Sequence, residues 1–141
     1  MKDDNCFFCK LAAGQFPSNT IYENDDFRVI LDIAPAAKGH AIAICKNHMP
    51  DLLSIEPDTA AKALPVLSRV ARAMKAALGC DGINLLQNNG EAAGQTIFHL
   101  HFHLIPRYAN DGMTILGKTG SYAEGEAEEI AAKIRQALDA E

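Results

Sequence analysis

The sequence predicts an α+β fold built on a mainly antiparallel sheet. Apolar residues alternate with period two in several short runs, while one stretch from Pro57 to Gly79 carries the mixed three-and-four spacing of a long helix. The connections between runs are short and rich in Gly, Pro, Asn and Asp, which suits strands that return on one another.

Each element follows in order. "CKLAAG" (9–14) reads as the end of a first helix closed by glycine. "FPSN" turns the chain into the extended run "TIYEN", and Asp25 and Asp26 separate this from a second strand, "FRVILDI". "GHAIAICK" alternates as a third strand. Pro57 suits the first position of the long helix and Gly79 its end, with Ala60, Leu64, Leu67, Ala71, Met74 and Leu78 expected on its buried face and a kink expected at Pro65. "GINLLQNN" and "TIFHLHFHLI" are the remaining strands, and "SYAEGEAEEIAAKIRQALDAE" is a polar, helical tail.

With 141 residues, 48% of them hydrophobic, the chain is long enough to bury a core as one domain, 1–141. No apolar stretch approaches a membrane span. The start, "MKDDNCFFCKLAAG", is acidic where a secretory leader is basic, so a cytoplasmic protein is expected. A net charge of −5 gives no reason to expect a nucleic acid polymer as partner, and a nucleotide would have to be captured locally.

The chemistry concentrates in "GQTIFHLHFHLIPR" (94–107), where His99, His101 and His103 occupy alternate positions. On a strand they share one face, with Leu100, Phe102 and Leu104 on the other. A rise of ~3.3 Å per residue separates His99 from His103 by about 13 Å, too far for both to hold one metal ion. The histidines must therefore divide their work.

Cys6 and Cys9 form C-x-x-C. A cytoplasmic chain would not keep a structural disulfide there, and a thioredoxin-like pair would need a preceding strand for which there is no room. Zinc suits the pair better, with His48, one histidine of the cluster, Cys45 and Cys80 as candidates for the other two ligands. Ahead of the histidines, "QNNGEAAGQTIF" supplies Asn88, Gly90, Gly94 and Gln95, amides and flexible backbone of the kind that cradle a phosphate.

"HLHFHLI" resembles the His-φ-His-φ-His-φ-φ signature of the histidine triad (HIT) superfamily of nucleotidyl hydrolases and transferases. The likeness extends through "CFFCKLAAGQFPSNTIYENDDFRVILDIAPAAKGHAI" and "NLLQNNGEAAGQTIFHLHFHLIPR", in the manner of its zinc-containing bacterial members. It implies a HIT-like fold: a five-stranded, mainly antiparallel sheet with one long helix and short terminal helices, joined to a second sheet across a two-fold homodimer. The segment from about 108 to 141 would then flank the active site or the dimer.

The resemblance also implies roles. His101 matches the nucleophile that attacks the α-phosphorus of a purine nucleotide and forms a nucleotidyl-histidine intermediate. An imidazole with an ordinary pKa near 6.5 is largely neutral at pH 7 and needs little activation for this. His103 and His40 match positions that contact the phosphate and assist the leaving group. Gly94, Gln95 and Thr96 match phosphate-contacting positions, Asp32 the acid on the ribose hydroxyls, and Asn88 a position near ribose and phosphate. Phe8, Leu11, Ile30 and Ile33 match apolar positions around the base. Cys6, Cys9, His48 and His99 match a closed, structural zinc site, which would turn His99 to metal while His101 and His103 meet substrate.

"GMTILGKT" (112–119) satisfies the Walker A string, but a P-loop leaves a parallel strand, opens into a helix and is followed by further βαβ units. It is expected to be an ordinary loop. Three functions are weighed: hydrolysis of adenosine phosphoramidates or related conjugates, including dinucleoside polyphosphates; a zinc-stabilised nucleotide- or partner-binding module with little turnover; and a hydrolase that uses zinc directly.

Overall fold

The computed structural model describes residues 2–141. The chain divides into two compact units, Met1–Asp111 and Gly112–Glu141. In the first, helix α1 (Phe7–Ala12) leads into strands β1 (Thr20–Glu23), β2 (Phe27–Leu31) and β3 (Ala41–Cys45). The long helix α2 (Pro57–Leu78) follows, then β4 (Gly82–Leu86) and β5 (His101–Arg107). The five strands form one antiparallel sheet in the order β1-β2-β3-β5-β4.

Period-two alternation gives the sheet two different faces. From β3, Ala41, Ala43 and Cys45 join Val29, Leu100 and Leu104 beneath α2, which contributes Ala63, Val66, Leu67, Val70 and Met74. Ile42 and Ile44 point the other way and pack with Ile30 against Phe8, Leu11 and Ala12 of α1. The register sets Ile42 opposite His103 and Ile44 opposite His101, so those two histidines stand on the α1 face. The alternation read from the sequence therefore holds where the site needs it.

Helix ends behave as their residues dictate. After α1, Gly14 adopts φ +77°, its N–H reaches Leu11 O at 3.1 Å, and Gln15 N–H reaches Lys10 O at 3.0 Å. This is the pair of hydrogen bonds that closes a helix on a left-handed glycine. Gly79 ends α2 with φ 63°.

Two expectations need correction. The buried face of α2 is Thr59, Ala63, Val66, Leu67, Val70 and Met74; of the predicted stripe only Leu67 and Met74 belong to it, and Leu64 is 65% exposed. Two apolar rows overlap on this helix, and the one with the β-branched valines faces the sheet. Pro65 lies inside a helix that runs unbroken from Pro57 to Leu78. Finally, β5 starts at His101, not at Thr96: the Leu100 N–H donates to Met49 O at 2.7 Å and so leaves the regular ladder.

In the second unit, α3 spans Glu126–Asp139. Residues 112–119 are irregular, with no strand before them among the residues of this unit and no helix until Glu126, so the Walker A string is a loop, as expected.

Candidate active site and metal centre

On the α1 face of the sheet lies a cavity of about 550 Å³, lined by His40, His101, His103 and all nine residues expected to touch a nucleotide. Phe8 sets its ring edge-on to His101 at 4.9 Å between centroids. Phe8, Leu11 and Ile30 are buried in its apolar wall, whereas Ile33 is 94% exposed and forms part of its rim. Phe7 and Phe16 line it too, their rings 5.2 Å apart. The sequence reading passed over both; the signal was a pair of aromatics, one opening α1 and one after it in a stretch read only as a turn.

Main-chain groups fix the protonation of the three pocket imidazoles. His101 Nδ1 lies 2.6 Å from His99 O, so Nδ1 carries the proton and donates it, leaving the Nε2 lone pair free. His40 Nδ1 accepts the Ala36 N–H at 3.0 Å, so the His40 proton resides on Nε2. That nitrogen stands 2.9 Å from His103 Nδ1 and 3.8 Å from Asp32 Oδ2. It therefore donates to His103 Nδ1, and the remaining proton of His103 must be on its Nε2. The pocket thus holds one imidazole with a free lone pair and one with a free N–H.

Burial pushes the pKa of His40 and of His101 below the usual imidazole value. His103 falls to about 4, chiefly through burial and further through the neighbouring His101 and His40. All three are therefore neutral at pH 7, and these tautomers are the relevant species. The His101 and His103 rings meet edge to face, 5.0 Å between centroids.

The loop before β5 closes the pocket. Gln95 is buried, and its side chain holds the loop together: its oxygen accepts Gly90 N–H at 2.8 Å while its amide donates to Pro50 O at 2.7 Å and Ile97 O at 3.2 Å. The backbone takes both of its N–H groups, so it acts as a brace. Gly94 has φ +91°, a left-handed conformation that side chains resist, and places the loop beside the half-buried Asn88. Thr96 is exposed at the cavity. Asp32 Oδ1 accepts Ala34 N–H at 2.8 Å.

On the far side of His99, four side chains converge. His99 Nδ1 lies 3.4 Å from Cys6 Sγ, 3.5 Å from Cys9 Sγ and 3.2 Å from His48 Nδ1, and Cys9 Sγ lies 3.4 Å from His48 Nδ1. A tetrahedral zinc with bonds of ~2.3 Å to sulfur and ~2.05 Å to nitrogen has S···N edges of about 3.6 Å and N···N edges of about 3.3 Å. The observed spacings fit. His99 Nε2 donates to Cys45 O at 2.6 Å, which leaves Nδ1 unprotonated and ready to ligate. Of the other candidates, Cys45 contributes only its carbonyl, and Cys80 lies outside the cluster.

Asp32, His40 and His103 also draw close together. They do not suit a cation, because the Ala36 N–H keeps a proton on His40 Nε2 and the 2.9 Å between the facing nitrogens is a hydrogen bond.

A family model described as HIT domain matches residues 13–110. The chain belongs to the HIT family. Among solved structures, a HIT family protein from Bacillus anthracis is 40% identical with a TM-score of 0.86, covering 95% of this chain and 97% of that one. A zinc-bound histidine triad family protein from Mycobacterium smegmatis is 37% identical, with a TM-score of 0.74 over 97% of this chain and 98% of that one. Among curated relatives, the adenosine 5'-monophosphoramidase of Saccharomyces cerevisiae is 40% identical over 82% of this chain and 70% of its own length. The five-stranded sheet and its helices are those of the HIT fold, as the sequence implied.

Proposed function

We propose that this chain is a nucleotide hydrolase that cleaves at the α-phosphate of adenosine, or other purine, 5'-phosphoramidates. The observation that carries the reading is the His101 Nδ1–H bond to His99 O, which leaves a neutral imidazole with its Nε2 lone pair free in a nucleotide-sized cavity.

In this reading His101 Nε2 attacks the α-phosphorus, the P–N bond to the leaving amine breaks, and a nucleotidyl-histidine forms. Water then releases the nucleoside monophosphate. Over both steps one water is consumed, its hydroxyl ending on phosphorus and a proton on the amine. The His103 Nε2–H donates a hydrogen bond to the charge that develops on phosphate oxygen, with His40 holding His103 in the donor tautomer. Asp32 takes the ribose hydroxyls, while Asn88, Gly94 and Thr96 serve the phosphate. Phe8, Leu11, Ile30 and Ile33 receive the base.

Cys6, Cys9, His48 and His99 would hold a structural zinc, a reading supported by their spacing and by the zinc-bound relative. Bound there, the metal supplies a fixed tetrahedral node. With all four positions taken by protein, no open position is left for substrate, which argues against direct use of zinc in hydrolysis. A homodimer joined along β4 completes the proposal.

The test is a hydrolysis screen of AMP phosphoramidates, aminoacyl adenylates and dinucleoside polyphosphates, with wild type and His101→Ala side by side. Phosphoramidate turnover, with an adenylated protein mass that is absent from His101→Ala, supports the proposal. No turnover of any AMP conjugate would leave a binding module, and turnover by His101→Ala would remove the nucleophile.

A further inference from the structure

The cavity wall supplied by β4 does not end with the strand. Leu86, the last residue of β4, stands opposite His103, and a short helical turn begins only at Glu91. Along this stretch Leu86 and Asn88 line the cavity while Gln87 and Asn89 do not, so the two-residue alternation of the strand continues past its last ladder pair.

The two residues that face away from the cavity are locked to each other. Asn89 Nδ2 donates to Gln87 Oε1 at 2.7 Å and Gln87 Nε2 donates to Asn89 Oδ1 at 2.8 Å, a closed pair of amide bonds. Asn89 Oδ1 also accepts the Leu52 N–H at 2.7 Å, and Gln87 Nε2 also donates to Asn88 O at 3.1 Å. A backbone N–H can only donate, so Leu52 decides that the Asn89 oxygen faces it, and the reciprocal pair then orients Gln87.

These side chains carry a segment that the sheet has released. Among the described residues, every hydrogen bond of residues 87–89 involves the side chain of Gln87 or Asn89, and the next fixed point is the Gly90 N–H, held by Gln95. Asn88 differs from both neighbours. Its half-buried carboxamide makes no hydrogen bond among the described residues and stands at the cavity beside Gly94, with donors and an acceptor open to a ligand.

We infer that Gln87 and Asn89 are positioning residues: their amide pair, seated on the Leu52 N–H, fixes the chain at Asn88 so that the free Asn88 carboxamide is held in the cavity to hydrogen-bond the nucleotide phosphate. The inference rests on the proposed function in giving Asn88 a phosphate to meet; the order of the chain at Asn88 is read without any ligand. Asn89 thus contributes to binding through its neighbour and touches no ligand itself.

The experiment uses the full chain as wild type, Asn88→Ala, Asn89→Asp and the double variant. Aspartate at 89 keeps the shape of asparagine and an oxygen for Leu52, but it sets its second oxygen against Gln87 Oε1, so one bond of the pair becomes a repulsion. ¹⁵N relaxation reads backbone order at Asn88, isothermal titration reads the affinity for AMP, and a thermal melt confirms that each variant is folded. In Asn89→Asp the order parameter at Asn88 should fall from about 0.85 to below about 0.7. AMP affinity should fall about three- to tenfold in each single variant, the scale of one lost hydrogen bond, and no further in the double variant than in Asn88→Ala. Gln87→Ala opens the pair from its other side, is read in the same way, and serves where Asn89→Asp does not fold. Wild-type order at Asn88 in the folded variants would overturn the inference. So would a double variant in which the two losses multiply, because the pair would then act on the ligand by a route other than Asn88. Failure of the nucleotide reading would look different: no AMP binding by the wild type, with order at Asn88 still lost in Asn89→Asp.

Discussion

His40 and His103 face each other nitrogen to nitrogen at 2.9 Å, and the Ala36 N–H on the far side of His40 decides which of them donates. His40 gives its proton and His103 receives it, so His103 keeps an N–H for the pocket. The pair works as an uncharged donor.

Removing the lone pair at the centre of the site should be the most damaging change. His101→Ala is expected to lower kcat for an AMP phosphoramidate by about a thousandfold or more, since the covalent route is lost altogether. His103→Ala should cost about a hundredfold, the scale of one lost charge-stabilising donor. Steady-state kinetics on folded variants checks both, and a His103→Ala enzyme that is more impaired than His101→Ala would reverse the roles.

Stability should fall as the solution becomes acidic. His103 has a pKa of about 4 in the folded chain against an ordinary 6.5, so the unfolded chain takes up a proton that the folded one refuses. The contribution is absent above pH 6.5, grows against folding as pH drops, and levels off below about 4, reaching the order of 3 kcal/mol. Denaturant titrations at pH 7 and pH 4.5 should differ by less in His103→Asn than in wild type; equal differences would refute this.

Ile33 offers a clean separation of binding from folding. It is 94% exposed at the cavity rim, so Ile33→Ser should leave the melting temperature within about 1 °C while raising KM several-fold for an adenosine substrate. Isothermal titration with AMP and a thermal melt on the same sample suffice. Unchanged AMP affinity would place the base elsewhere.

The edge of the sheet should govern assembly. β4 has β5 as its only strand neighbour among the described residues, and Leu85 on it is 46% exposed. Light scattering should return the mass of two chains at micromolar concentration, and Leu85→Lys should shift the equilibrium toward one. A single-chain mass for wild type would rule out the pairing.

Side-chain alternation was the most legible feature of the sequence. It placed His101 and His103 on one face of β5 and Leu100 and Leu104 on the other, whereas the assignment of His99 to the metal cluster came from the family resemblance. What it missed depended on information that alternation does not carry. The buried row of α2 was misassigned because Leu64 and Val66 both continue an apolar helical pattern, and only the sheet decides between them. Gln95 looked like a phosphate ligand by its amide, yet backbone partners at Gly90, Pro50 and Ile97 use that amide to close the loop. No residue type announces the Ala36 N–H or the His99 carbonyl, because every residue but proline has both groups.

That last point determines how such a site tolerates change. The three proton assignments that matter, at His40, His99 and His101, are each dictated by the peptide chain: an amide at position 36 and carbonyls at 45 and 99. Substitutions in the surrounding wall can reshape what enters without disturbing which nitrogen carries the proton. An insertion or deletion that slides one of these peptides by a residue would silence the chemistry while leaving every histidine in place.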